Sequence, residues 1–460
     1  MKEIGVLRLF GYVPSSNARR VCAAIACVVV VAGCDAWSDL EAPGATDNLP
    51  PLTRPLYPTG LALHPTEPVL AVVSSNFDLR HASGALLLAD LDQVADDLAT
   101  KAVVDDEDRP VSLAAYVDAV YTPSFGHRPV WSANGLHVVL PVRDDNRLLE
   151  MNLDVATTRL SCGERFQGET PTCDSAPYAV SLAGSDPYSV VLYEDTPERI
   201  SGVVGLVSSP DLYFFTIRTD RTGFDRIRMA VLPLAGDALG VRGLVVRRQD
   251  GVTTAFASVD RLGTATRGLS SIVWFDPTRA NPVSGDASAV VVRSLDLFDL
   301  VGSSSSRDLA LTPDGDALLM LLRSPDGVLR LEITRVGGTV ELALGALAPT
   351  CREPTALAVA RLAGTRTGDV DRAYVACFGS DAIVAHDTLF LNETDAVRFF
   401  GDGPFDLVVD TLPGRGPAAY VSFFLDDSIG VLDVIDDAGD ARLVPRGRIG
   451  VARPPREDGR

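Results

Sequence analysis

At 460 residues and a formal net charge of −20, the chain is long enough for several domains or one large repeat architecture, and too acidic to favour nucleic acid as a partner. A hydrophobic share of 46 % excludes a disordered chain, and 39 glycines with 30 prolines supply turns for many short elements. Lys2 and Lys101 are the only lysines, so arginine carries nearly all the positive charge.

The chain opens on a targeting pattern. "MKEIGVLRLFGYVPSSNARR" sets Lys2, Arg8, Arg19 and Arg20 against Glu3, and the apolar run "VCAAIACVVVVAG" follows. That run has the length of a signal-peptide core and is short for a bilayer span. It ends in "VAGC", Val31–Cys34, which resembles the lipobox of bacterial lipoproteins. The resemblance implies acylation of Cys34, cleavage before it, and attachment to a membrane through N-terminal acyl chains. The expected location is the bacterial cell envelope: the periplasmic face of either membrane, or the cell surface. The segmentation expected is a signal peptide at 1–33, a polar, proline-bearing tether at 34–56, a folded domain at 57–451 and a disordered tail at 452–460.

Four cysteines remain after the signal and the lipid site: Cys162, Cys173, Cys351 and Cys377. In an oxidising compartment an even remainder suggests two disulfides, with three pairings open. Local pairing, Cys162 with Cys173 and Cys351 with Cys377, is the simplest of them.

A repeated unit then organises the chain. It reads as proline, apolar strand, turn, apolar strand, acidic turn, and a strand ending in aspartate. "GPFDLVVDTLPGRGPAAYVSFFLDDSIGVLDV" (403–434) shows it, as does "EPTALAVARLAGTRTGDVDRAYVACFGSDAIVAHD" (353–387). Copies at 57–92, 128–154 and 307–333 are recognisable, and weaker ones begin at Pro177 and Gly243. First strands are therefore expected near 59, 130, 178, 243, 308, 355 and 405. The strands are apolar nearly throughout, which suits sheets buried on both faces. Small sheets stacked in a closed ring satisfy that need, so the expected fold is all-β: a β-propeller of seven blades, each of about four antiparallel strands. A pair of β-sandwiches would show alternating patterns and no shared unit. Helical spacing is confined to 90–105 and 110–121. The tail 441–451 could form the outer strand of the last blade or pair in part with the first.

"AYVS" (419–422) and "AYVA" (373–376), each followed by an acidic turn, resemble the YVTN-type, lactonase-like propeller repeat, and "LALTPDGDALLM" (309–320) fits its first turn. No unit contains Tyr-Val-Thr-Asn itself. The resemblance implies a seven-bladed ring and admits hydrolysis of sugar lactones.

Signatures of chemistry are sparse. The five histidines share no metal-ligand spacing, G-x-S-x-G is missing, and the glycines of "GDGPFD" (401–406) enter a strand instead of opening a helix. The acidic runs 103–109 and 433–442 lack the calcium-loop pattern and read as solvated turns. No metal site and no cofactor are expected. If a ligand site exists, the mouth of the central channel should hold it, with Arg128, Arg307, Asp308, Arg352, Glu353 and Asp406 at first-strand starts as candidates. Three functions are consistent with this: a binding or scaffold module for a protein or glycan partner, a lactonase-like hydrolase at the channel mouth, and a structural subunit of an envelope complex.

Overall fold

Apolar strands of two to twelve residues, closed by Gly, Pro and Asp turns, assemble into seven mostly antiparallel sheets in chain order. The computed structural model describes residues 48–450 except 102, 105–108, 114–115, 164–168, 197–198, 221, 225–228, 235–236, 263–268, 304, 363–369, 413–415 and 438–439. Cys34, the signal segment and the tail 451–460 lie outside the described residues. The innermost strands are Pro58–Leu63, Val130–Trp131, Pro187–Asp195, Ala238–Gln249, Ser306–Leu311, Pro354–Leu362 and Pro404–Asp410. The chain is a seven-bladed β-propeller.

Its stability follows from two-sided burial. The second strands Val69–Ser74, His137–Val142 and Ala418–Phe423 are buried at every position. Alternate residues of one strand feed different cores: Leu70 and Val72 pack with the seventh blade, Ala71 and Val73 with the second. Seven such cores result, one in each gap between adjacent blades. Among the described residues each sheet packs on both neighbours, as ring closure requires.

Closure uses an insertion. The last strand, Asp440–Ile449, is the outer strand of blade 7, and Val111–Ser112 from the blade 1 insertion pairs with it in parallel. Arg448 N–H donates to Pro110 O at 2.9 Å and Gly450 N–H to Ser112 O at 3.0 Å. The preceding helix, Leu91–Thr100, starts where the Asp90 carboxylate accepts the Asp92 and Gln93 amides. Its Leu91, Val94 and Leu98 stripe enters the core between blades 7 and 1. Gly447 has to be glycine here, because a Cβ would stand 2.5 Å from Pro110 O and 2.6 Å from Leu98 Cδ2.

Three expectations need correction. Residues 110–121 are not helical but strand, Val111–Ser112 and Tyr116–Thr122. The segment at Pro177 does not open blade 3; Ala179–Ser181 pairs with Arg147–Leu149 as an outer strand of blade 2. Blade 3 starts instead at Pro187. Residues 48–56 are not free tether: Pro50 and Pro55 are buried, and Leu56 N–H donates to Ser74 Oγ at 2.9 Å. Their apolar side chains gain more against blade 1 than in water.

Both local disulfides are present. Cys162–Cys173 spans 5.6 Å between Cα atoms and Cys351–Cys377 spans 5.9 Å. The second ties the loop entering blade 6 to the end of that blade's second strand, where Pro354 and Cys377 are paired.

Candidate functional site

A repeated backbone device builds the upper mouth of the channel, the face where the chain enters each innermost strand. In six blades the pairing register slips near the start of that strand, at the second or third residue in five of them and at the second and fifth in blade 4. Such a bulge leaves one residue off the ladder and re-aims its side chain. The residues set free are Thr59, Tyr188, Arg242, Arg307, Thr355 and Phe405, and Arg128 supplies the equivalent from blade 2. All seven line one cavity of about 210 Å³. Four blades share a fuller version: a left-handed residue, then proline, then the mouth residue. These are Tyr57-Pro58-Thr59, Asp186-Pro187-Tyr188, Glu353-Pro354-Thr355 and Gly403-Pro404-Phe405, with φ of 47°, 61°, 54° and 64° at the first position.

Beneath the mouth, Arg128 joins three blades. Its Nη2 donates to Asp308 Oδ2 at 3.0 Å and to Asp406 Oδ1, and its Nε to Asp406 Oδ1 at 3.0 Å. Each aspartate also caps the neighbouring blade: Leu357 N–H donates to Asp308 Oδ2 at 2.9 Å, and Leu61 N–H to Asp406 Oδ2 at 2.8 Å. Burial alone would lower the Arg128 pKa, but the two carboxylates outweigh it and hold the guanidinium charged. Burial pushes Asp406 up, and Arg128 pulls it back. This network positions strands and leaves few acceptors for a ligand.

The mouth's other groups are less committed. The threonine hydroxyls are spent across blade boundaries, Thr59 on Gly126 O at 2.6 Å and Thr355 on Pro404 O at 3.0 Å. Arg242 pairs with Asp260 at 2.7 Å. His127 stacks on Tyr188 with centroids 3.7 Å apart. Burial, with Arg128 and Arg143 nearby, holds His127 well below the usual imidazole range, so it is neutral at pH 7. A second cavity of about 220 Å³ adjoins the first and shares Tyr188, Arg307, Thr355 and Phe405 with it. Outward from Phe405 runs a row of rings: Phe424 at 5.4 Å, then Tyr57 and Phe77 at 5.1 and 5.2 Å from Phe424. Phe77, which also meets Phe125 at 5.6 Å, is 51 % exposed.

Of the six residues expected here from sequence, Arg128, Arg307, Asp308 and Asp406 line the main cavity, and Glu353 lines the adjoining one. Arg352 lines neither; it is exposed, and its Nε donates to Gly379 O at 2.7 Å. Thr59, His127, Tyr188, Arg242, Thr355 and Phe405 were missed. The position after each blade-opening proline would have found four of them. Among the described residues, no three His, Cys, Asp or Glu side chains gather as a metal site, and no helix is long and apolar enough to cross a membrane.

The ring and its bulged mouth define the class: a seven-bladed β-propeller with a mixed-charge upper channel mouth. No family profile matches the chain, and no curated protein does. Solved structures do. A 6-phosphogluconolactonase-like protein from Bacteroides fragilis is 14 % identical, with a TM-score of 0.53 over 90 % of this chain and 98 % of its own. Kuenenia stuttgartiensis hydrazine synthase is 14 % identical, with a TM-score of 0.53 over 85 % of this chain and 99 % of that one. The propeller domain of Cps50 (Swd1) from Myceliophteria thermophila is 10 % identical, at 0.53 over 84 % and 99 %. At these identities the likeness establishes the fold alone.

Proposed function

We propose that this protein is a lipid-anchored β-propeller of the bacterial cell envelope, held to a membrane through acyl chains on Cys34, that binds a glycan or protein partner at its upper channel mouth. The convergence of one side chain from every blade on a single cavity carries the reading. Arg128 and the threonines also hold blades together, but Arg307 makes no ion pair among the described residues and its Nε has no partner, so the mouth carries a polar group beyond structural need. The "VAGC" motif supports the anchor, two disulfides suit an oxidising compartment, and the acidic composition disfavours nucleic acid.

Two experiments test it. Metabolic labelling with an alkyne fatty acid should mark the wild type and not Cys34→Ser; equal labelling would remove the anchor. Calorimetric titration with envelope glycan fragments should give binding that Tyr188→Ala and Phe405→Ala weaken. Binding indifferent to both variants would remove the mouth from the function.

His127 favours a second reading, a lactonase-like hydrolase, since a neutral imidazole in the cavity wall beside arginines could serve as a general base. Lactone hydrolysis by the wild type that His127→Gln abolishes would select it over the binding module. A scaffold subunit would show neither glycan binding nor hydrolysis.

A further inference from the structure

Among the arginines that reach the two mouth cavities, Arg307 stands apart. Arg128 has Asp308 and Asp406, Arg242 has Asp260, and Arg323 has Glu353 at 3.4 Å. Among the described residues Arg307 makes no ion pair, and its Nε is buried without a hydrogen-bond partner. Burial lowers its pKa, with Arg323 and Arg242 nearby adding to the effect and Tyr188 and Asp260 opposing it. A desolvated cation with no acceptor is unfavourable, and such groups concentrate where a ligand completes the pairing.

Its setting narrows the ligand. Arg307 lines both cavities, together with Tyr188 and Phe405. Guanidinium matches the planar, two-oxygen geometry of a carboxylate. Aromatic faces beside it suit the C–H surface of a sugar ring, and cavities of about 210 and 220 Å³ admit a small group rather than a broad protein surface. Carboxylates already match the other three arginines of the mouth, so Arg307 is the cation left for an anion to find.

We propose that the upper mouth binds the carboxylate of an acidic sugar on Arg307, with Tyr188 and Phe405 holding the ring. This rests on the mouth being the binding site. Titrating the full-length protein with glucuronate, glucose, inorganic phosphate and N-acetylaspartate tests it. Glucuronate should bind best, glucose at least about tenfold more weakly, and Arg307→Gln should lose about tenfold or more of the glucuronate affinity while Arg307→Lys keeps part of it. The melting temperature of Arg307→Gln should match or exceed that of the wild type, which separates lost binding from lost folding. Glucuronate binding unchanged in Arg307→Gln, or glucose binding as tightly as glucuronate, overturns the assignment. So does a preference for N-acetylaspartate, which points to a peptide carboxylate, or for inorganic phosphate. Neutral sugars bound in a Tyr188-dependent way would sink the anion subsite and spare the binding module. Ligands whose binding ignores Tyr188, Phe405 and Arg307 alike would sink both.

Discussion

The two ends of the channel are made by the same seven strands, yet they differ in kind. The lower end opens into the larger cavity, about 510 Å³, walled by Val130, Trp131, Val191, Val245 and Leu311. Its arginine, Arg248, is held by blade 3: Nη2 donates to Leu192 O at 2.6 Å and Nε to Tyr193 O at 3.2 Å. The upper end is smaller, bulged and charged, and Arg307 has no such acceptors. Cavity size therefore does not mark the site. What separates the ends is one arginine at each: Arg248 donates to two carbonyls of blade 3, and the Arg307 Nε has no partner.

Removing Asp406 should break the upper end most severely. Asp406→Ala leaves Arg128 with Asp308 alone and uncaps Leu61, so unfolding in denaturant should show a loss of about 3–5 kcal/mol, as for other broken buried pairs. A loss under about 1 kcal/mol would mean that the network beneath the mouth is solvated surface chemistry. Next in size is the disulfide. Cys351→Ser with Cys377→Ser frees the loop that carries Glu353 and the turn that carries Phe378, both in the wall of the second cavity. The expected cost is about 3 kcal/mol, and hydrogen exchange should rise at the upper end of blade 6 while the lower cavity stays protected.

Acid weakens both ends through buried histidines. His64 sits in the lower turn of blade 1, where its Nε2–H donates to Gly135 O at 3.1 Å and its Nδ1 accepts Glu67 N–H at 2.9 Å. Only the neutral ring fits both bonds. Burial lowers its pKa, though Gly135 O and Glu67 oppose the shift. The unfolded chain thus takes up the proton first, and this stability is full above about pH 6.5 and lost as pH falls below it, by up to about 1.4 kcal/mol per pH unit for each such histidine. His386 and His127, also lowered by burial, act in the same direction. Melting followed from pH 7.5 to 5 should decline, with a shallower slope in His64→Gln; identical slopes would remove His64 from the effect.

How legible this was varied with the signal. Blades 6 and 7 could be read because "AYVA" and "AYVS" repeat with their acidic turns, and two-faced burial leaves a nearly unbroken apolar pattern. Blade 3 was misread because the chain offers two Pro-Tyr pairs ten residues apart, at Pro177 and Pro187. Both precede an apolar strand; only register against Arg147–Leu149 assigns the first to blade 2. The closing strand Val111–Ser112 was illegible, since a two-residue parallel pair has no periodicity to read. At the mouth, position along the strand was readable but side-chain direction was not. Arg352 and Arg307 look alike in sequence, and a bulge aims only the second at the cavity.

The finest comparison sets Arg248 against Arg307. Arg248→Gln gives up charge-assisted bonds to two carbonyls of blade 3 and should cost about 1–2 kcal/mol. Arg307→Gln gives up no ion pair and relieves a desolvated cation, so stability should stay level or rise. Paired melting curves at low and moderate salt read this difference directly, because folding and not ligand is being measured. If Arg307→Gln lost as much stability as Arg248→Gln, Arg307 would be a structural cation like the other, and the two ends of the channel would differ in shape alone.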